Sequence, residues 1–237
     1  MKIHDTPGFP NPARIRIVLG EKGIESQIEF VKVDLYNAEH QKAPFLAKNP
    51  TGTVPVLELD DGTFIAECIA ITHYLDELDG NPILTGRTAR EKAEIQMMQK
   101  RADDQLIDGI GVFFHHATPG LGDVNKQHKD ADWALRKEWG EKHAQKAIKG
   151  MAYFNEVLKS RPFVAGDSFS VADITVFCAL IHGDYAGLNV PAEHAALTEW
   201  RARVAERPSV KNRSGQELLP EDLPHLTPLL EYLNSKA

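Results

Sequence analysis

Residues 54–68 read VPVLELDDGTFIAEC and predict two short strands that fold back on each other ahead of a helix. Val54 to Leu59 is rich in residues that favour strands, and Asp61-Gly62 is a hairpin signal. Thr63 to Ala66 forms the return strand, and the apolar spacing from Glu67 to Leu78 predicts a helix. We expect the first part of the chain to be organised around this hairpin and helix.

The residues before this hairpin alternate between strand and helix patterns. Lys2 to Asp5 and Ile28 to Val33 read as strands, while Ala13 to Lys22 reads as a helix that ends at Gly23. His40 to Lys48 predicts a further short helix, because an Asn-Pro pair follows it. The order βαβα and then ββα predicts an α/β sandwich with a small mixed sheet.

The pattern changes after residue 82, where no convincing strand remains. Long helices are predicted over four segments: 88–116, 133–159, 170–186 and 192–206. The third is apolar on most faces, so we expect it at the centre, and Ser170 with Asp173 forms a capping signal at its start. We therefore predict a first domain over residues 1–80, a linker over 81–88 and an all-helical domain over 89–237.

Composition excludes several classes of function. The 237 residues carry 27 basic and 34 acidic side chains, a net charge of −7, which argues against nucleic acid as a partner. No apolar run is long enough to span a membrane, and no signal peptide is recognisable. The two cysteines, Cys68 and Cys178, favour a reducing compartment, so we expect a cytoplasmic protein. We expect no metal and no cofactor.

The order of several motifs resembles that of the cytosolic glutathione transferases. The motifs are PARIRI at 12–17, TVPVL at 53–57, GTFIAECIAI at 62–71 and FVAGDSFSVADI at 163–174. The resemblance implies an α/β thioredoxin-like N-terminal domain followed by an all-α helical bundle domain. FFHHATPGLG at 113–122 is similar to an atypical, fungal-type subgroup that lacks the usual Tyr, Ser or Cys in the first domain.

The resemblance also implies a binding site for glutathione, a tripeptide with two carboxylates, an amine and a thiol. Pro55 would be the cis-proline whose neighbour, Val54, pairs its backbone with the cysteinyl part. Glu67 would accept from the γ-glutamyl amine, while the helix N-terminus at Cys68 holds the γ-glutamyl carboxylate. The candidates for the glycyl carboxylate are two further residues, His40 and Thr53.

Activation of the thiol has two candidate sources. The usual hydroxyl or thiol is missing, since Phe9, Pro10 and Asn11 occupy its place. One source is the start of the first helix, through Asn11 and the N–H of Ala13. The other is His115, as a base acting directly or through a water molecule. By resemblance, the subgroup pairs this histidine with a serine one turn earlier. Gly111 stands at that place here and cannot take the part of the serine, and the two sources stay open.

The predicted function is conjugation of the glutathione thiolate to small hydrophobic electrophiles, in detoxification. We expect the electrophile between Phe9, Phe113 and the polar segment 118–128. Partners are then glutathione, the electrophile and a second copy of the chain in a homodimer. The alternatives are a non-catalytic glutathione-binding or regulatory protein and a glutathione-dependent thiol reductase. A reductase needs a cysteine at the start of the first helix, and none lies there.

Overall fold

The computed structural model describes residues 1–121, 136–211 and 224–235. Its four strands form one mixed sheet in the order β2-β1-β3-β4, in which β1 is parallel to β2 and the other pairs are antiparallel. The strands are β1 (Lys2–Asp5), β2 (Glu29–Lys32), β3 (Val56–Glu58) and β4 (Phe64–Ala66). The predicted hairpin is therefore confirmed as β3 and β4.

Ten α-helices are present in the described ranges, three before residue 80 and seven after it. The first three are α1 (Pro10–Lys22), α2 (Ala43–Leu46) and α3 (Cys68–Glu77). The others are α4 (Ala89–Ala102), α5 (Asp108–Ala117), α6 (Lys137–Leu158), α7 (Val171–Ala186), α8 (Ala195–Ala205), α9 (Pro208–Lys211) and α10 (Thr227–Asn234). The fold class predicted from sequence is confirmed, whereas the domain boundaries at 80 and 88 stay a prediction.

Helix α1 begins three residues earlier than the predicted Ala13. Pro10 and Pro12 lie in its first turn, where the missing N–H groups would have no intrahelical acceptor in any case. We had read these prolines as part of a turn, and that boundary was wrong. The other end is as predicted, because Gly23 closes the helix with a φ of 65°. The early start brings Asn11 into the first helical turn.

Two other boundaries also differ from the sequence prediction. The helix predicted over residues 40–48 is divided into a 3₁₀ turn, Glu39–Gln41, and the short α2. The long helix predicted over residues 88–116 is continuous, but a π-helical turn over Asp103–Ile107 joins α4 to α5. Periodicity alone does not distinguish these variants from regular α-helix. No helix in the described ranges is both long and apolar enough to cross a membrane.

Helix α7 lies at the centre of the second half, as predicted. Residues 171–180 are all buried, and the helix contacts α1, α4 and α5. Helix α1 in turn buries Ile15, Ile17 and Leu19 completely. Because α1 contacts both α3 and α7, its first turn reaches the place where the two halves of the chain meet.

A buried carboxylate fixes the chain between α3 and α4. Asp76 accepts hydrogen bonds from the backbone N–H groups of Ile83, Leu84 and Thr85 and from the Thr85 hydroxyl, at 2.8–3.0 Å. Burial alone would raise the pKa of Asp76, but these hydrogen bonds hold it below its ordinary value. The connection between the two halves is thus held as a defined turn.

Candidate active site

A cavity of about 380 Å³ lies between the first turn of α1, two loops of the first half, and helices α5 and α7. The first half contributes Phe9, Pro10, Asn11, Pro12, Leu35, His40, Gln41, Thr51, Gly52, Thr53 and Val54. The second half contributes Ile107, Gly111, Phe114, His115, Leu121 and His182. The first half supplies most of the polar groups, and the aromatic rings of Phe9 and Phe114 come from the two different halves.

The peptide bond between Val54 and Pro55 is cis, in agreement with the prediction from the resemblance. Val54 and Thr53 line the cavity, whereas Pro55 is buried behind them at the start of β3. The loop is held by Asn49, whose side-chain amide donates to the Thr53 carbonyl at 2.9 Å and to its hydroxyl at 3.0 Å. This edge can therefore present backbone to an extended peptide.

His40 lines the cavity next to this edge. Gly52 has a φ of 61°, and a side chain there would come within 3.0 Å of the His40 carbonyl oxygen. Glycine thus allows the loop around Thr53 to lie directly against the turn that carries His40. Both candidates for the glycyl carboxylate are brought together, although their role stays a prediction.

Glu67 and Cys68 line a second cavity of about 360 Å³, which shares Asn11 and Ile107 with the first. Glu67 was predicted as the first helical residue, but it is the N-cap of α3, with a φ of 69°. Its side chain is exposed, and the first N–H groups of α3 have no intrahelical acceptor. An amine and a carboxylate of one ligand could thus both be bound here.

Cys68 ties α3 to α1. Its thiol donates to the Asn11 carbonyl oxygen, with a distance of 3.5 Å between sulfur and oxygen. Burial raises the pKa of Cys68 to about 11, so the side chain is a neutral thiol at physiological pH. Cys68 therefore has the properties of a structural cysteine, and not those of a reactive thiolate.

Asn11 lies between the two cavities and presents a free donor. Its Oδ1 accepts from the Arg14 guanidinium at 3.2 Å, which leaves the Nδ2 amide without a hydrogen-bond partner among the described residues. The N–H of Ala13, which we had expected to serve the thiol, donates to the Phe9 carbonyl at 3.1 Å. That expectation was wrong. Since Pro10 and Pro12 have no N–H, Asn11 supplies the available donors of this turn.

Arg14 is a site residue that the sequence analysis missed. Its side chain is 4% exposed, and one terminal nitrogen, Nη1, contacts Asn11 and lies 3.0 Å from Asp103. The other two nitrogens, Nε and Nη2, are buried and have no hydrogen-bond partner among the described residues. Buried donors of a cation are rarely left unpaired, so Arg14 is a candidate for binding an anion. The signal in the sequence was an arginine within the apolar pattern of α1.

The second half places His115 and Gly111 on the same wall of the cavity, as their spacing predicted. His116 is buried and does not line it, which also agrees with the prediction. Phe113 does not line the cavity, whereas its neighbour Phe114 does, because successive helical positions are about 100° apart. The prediction that Phe113 lines the cavity is therefore wrong, and Phe114 takes that place in the wall.

Only the beginning of the polar segment 118–128 can be placed. Leu121 is buried and lines the cavity beyond the end of α5. Residues 122–128, which we had also assigned to the electrophile site, lie outside the described residues. Phe9, the other predicted wall residue, does line the cavity.

The fold and the site together define a class of protein. In this class a thioredoxin-like half, which can hold a peptide with anionic ends, is joined to a helical half with an apolar wall. Residues 10–78 match the model of the glutathione S-transferase N-terminal domain, and residues 130–208 match that of the C-terminal domain. Glutathione S-transferase 2 of Saccharomyces cerevisiae is 55% identical over 211 residues, covering 89% of this chain and 88% of the relative.

Solved structures agree with these matches. The crystal structure of Gtt2 from Saccharomyces cerevisiae has a TM-score of 0.85 at 55% identity and covers 90% of this chain and 100% of its own. A glutathione S-transferase domain-containing protein from Marinobacter aquaeolei VT8 has a TM-score of 0.83 at 49% identity, covering 89% and 100%. The chain therefore belongs to the glutathione S-transferase family, whose enzymes use glutathione as a co-substrate. Its assignment to an atypical fungal-type subgroup stays a prediction.

Proposed function

We propose that this enzyme conjugates the glutathione thiolate to small hydrophobic electrophiles, in detoxification. The observation that carries the proposal is one cavity with a polar peptide edge at Thr53-Val54 and an aromatic wall at Phe9 and Phe114, separated by Asn11. A peptide held on that edge would place its central residue beside the donors of Asn11. The aromatic wall would hold an apolar reaction partner on the opposite side.

Each end of glutathione has a proposed binding group. The backbone of Val54 pairs with the cysteinyl residue, and His40 with Thr53 holds the glycyl carboxylate. The exposed Glu67 accepts from the γ-glutamyl amine. The γ-glutamyl carboxylate takes the N–H groups at the start of α3 together with the unpaired nitrogens of Arg14, which lines the same cavity.

The thiol is activated chiefly by Asn11 in this proposal. Its Nδ2 amide and backbone N–H would donate to the sulfur and favour the thiolate, while the Arg14 contact fixes which face of the amide is offered. His115, on the opposite wall, can remove the proton directly or through a water molecule. The two contributions are compatible, since Asn11 would stabilise the thiolate and His115 would accept the proton that the thiol loses.

The thiol reductase alternative is disfavoured by Cys68. A reductase would use a cysteine thiolate near the bound glutathione, yet the Cys68 thiol is buried, donates to Asn11 and has a pKa raised to about 11 by burial. Cys178, the other cysteine, is buried in α7. We further propose a homodimer in the cytoplasm, with the domain boundaries at residues 80 and 88 given above.

Two kinds of measurement test this function. One is retention on immobilised glutathione, and the other is turnover of 1-chloro-2,4-dinitrobenzene and of a mixed disulfide of glutathione. The proposal predicts retention and steady conjugation of the aryl halide, with no reduction of the disulfide above the uncatalysed rate. Retention without conjugation would instead support a non-catalytic glutathione-binding protein. Reduction that is lost on replacing Cys68 by serine would support the reductase.

A further inference from the structure

Glu21 lies in the last turn of α1, where the helix dipole disfavours a negative charge. Its carboxylate accepts from two nitrogens of the Arg207 guanidinium, at 2.9 Å from Nε to Oε1 and 2.6 Å from Nη2 to Oε2. The hydroxyl of Ser209 donates to the same carboxylate. Burial alone would raise the pKa of Glu21, but these hydrogen bonds hold it below its ordinary value. An ionised pair therefore joins the end of α1 to the second half of the chain.

The partner of Glu21 is itself held in place. The Arg207 guanidinium lies over the ring of Phe169, with 3.9 Å from Cζ to the ring centroid, and Phe169 directly precedes the N-cap of α7. Next to the pair, Gly20 packs closely on Ser209, since a Cβ atom on Gly20 would lie 3.0 Å from the Ser209 Cβ. A bidentate, stacked guanidinium has a fixed orientation, so this contact defines the position of the end of α1.

An earlier turn of α1 makes a second contact with the same half of the chain. Arg14 is seven positions before Glu21, so the two side chains lie on one face of the helix, about 10 Å apart along its axis. Nη1 of Arg14 lies 3.0 Å from Asp103, in the π-helical turn between α4 and α5. Two ion pairs along one face fix the rotation of α1 about its own axis, which a single pair would leave adjustable.

This rotation decides where the side chains of the first turn of α1 point. Asn11 lies in that turn and lines both the 380 Å³ and the 360 Å³ cavities. A side-chain tip is about 5–6 Å from the helix axis, so a rotation of roughly 10° moves it by about 1 Å. A displacement of that size takes a hydrogen bond out of its normal range of distances. The direction of the Asn11 amide thus depends on contacts further along the helix.

We propose that Glu21 and Arg207 are positioning residues, which fix the rotation of α1 and thereby direct the Asn11 amide at the glutathione sulfur. The inference rests on the proposed function, because it requires Asn11 to activate the thiol. Glu21 is ten positions, or about 15 Å along the axis, from Asn11, and neither member of the pair lines the two cavities. The pair therefore acts on the reaction through Asn11 and without contact to glutathione.

The test uses variants that break the pair at either side. Glu21→Gln removes the charge at nearly constant size, and Arg207→Met removes the guanidinium. Asp184→Asn is the matched control, since the carboxylate of Asp184 on α7 pairs with Arg201 on α8 within the second half. The pKa of the thiol of bound glutathione is measured by thiolate absorbance, together with kcat and the KM for glutathione.

We expect Glu21→Gln and Arg207→Met each to raise the thiol pKa by about half a unit, which lowers the thiolate fraction below that pKa roughly threefold. The kcat should fall by the same factor, while the KM for glutathione changes by less than about twofold. The direction is informative for Glu21→Gln, because the loss of a negative charge would by itself lower the thiol pKa. Asp184→Asn should behave as the wild type.

The variant Asn11→Ala provides a second background for the same change. If Glu21 acts through Asn11, adding Glu21→Gln to Asn11→Ala should raise the thiol pKa no further. An equal rise in both backgrounds would overturn the proposal. A loss of stability in Glu21→Gln with an unchanged or lower thiol pKa would also overturn it, because the pair would then be a structural contact alone.

These results are distinguishable from a failure of the proposed function. If the wild type conjugates and Asn11→Ala raises the thiol pKa, while Glu21→Gln and Arg207→Met do not, only the positioning role is wrong. A wild type that binds glutathione without lowering the pKa of its thiol, and without conjugation, would contradict the transferase function itself.

Discussion

At the scale of single residues, Arg14 connects the fold to the ligand. Its Nη1 contacts Asn11 and Asp103, and its other two nitrogens are buried and have no partner within the described part of the chain. Arg16, two positions later, shows the contrast, because it donates to both carboxylate oxygens of Asp5 at 3.0 Å. Arg16 thus directs its guanidinium at a carboxylate of the fold, whereas Arg14 has two further donors that we propose bind an anion.

The corresponding prediction concerns Arg14→Met. We expect it to weaken glutathione binding by about 2–3 kcal/mol, the value of charge-assisted hydrogen bonds to a carboxylate. Calorimetric titration with glutathione and with an analogue in which 4-aminobutyrate replaces the γ-glutamyl residue measures this directly. The wild type should prefer glutathione, and the variant should show a clearly smaller preference, which the N–H groups at the start of α3 alone would provide. An equal loss of affinity for the two ligands would contradict the assignment.

At the scale of elements, Asp173 fixes the start of α7. Its carboxylate accepts from the backbone N–H groups of Val164 and Ser170, from the Ser170 hydroxyl and from the indole of Trp200, at 2.8–3.1 Å. The predicted capping box of Ser170 and Asp173 is confirmed, and the N–H of Asp173 also lies 3.0 Å from the Ser170 carbonyl oxygen. Asp173 thus joins α7 to the preceding turn and to α8.

This environment predicts a pH-dependent stability. Burial raises the pKa of Asp173 to about 6, above its unfolded value near 3.8, so the folded state binds the proton more tightly. The contribution of this group is therefore greatest below about pH 4 and declines as pH rises to about 6. Urea unfolding measures the free energies of unfolding of the wild type and of Asp173→Asn. As pH rises, the stability of the wild type relative to the variant should fall by on the order of 2 kcal/mol.

The same measurement has a clear negative result. If the difference between wild type and Asp173→Asn is constant from pH 4 to pH 7, the carboxylate does not titrate in that window. Ser170→Ala leaves the carboxylate but removes a capping hydroxyl that donates to it, so this variant measures the cap and is not a control for the titration. We expect it to cost about 1 kcal/mol.

The element scale also shows which features the sequence could predict. The strands, the hairpin and the central position of α7 follow from local propensity and apolar spacing, which are properties of neighbouring residues. The positive φ of Glu67 and the π turn at 103–107 do not follow from such patterns, and the start of α1 at Pro10 was missed because its prolines were assigned to a turn. These three features shape the edges of both cavities, so the errors in prediction fall at the site.

At the scale of the whole molecule, the site exists only because the two halves meet. Asn11 comes from the first half and His115 from the second, and both line one cavity. Motif order identified most of the residues of the first half, since they lie in or beside the motifs that carry the family resemblance. Arg14 and Phe114 were missed, because their places in the cavity linings depend on burial and orientation where the two halves meet.

The role of Asn11 is tested by the pKa of the thiol of bound glutathione, followed by the ultraviolet absorbance of the thiolate. We predict that Asn11→Ala raises this pKa by about one unit, because one charge-assisted hydrogen bond is lost, and lowers kcat at neutral pH. His115→Ala should lower kcat with a smaller change in this pKa. An unchanged pKa and turnover in Asn11→Ala, with both abolished in His115→Ala, would contradict the claim that the start of α1 activates the thiol.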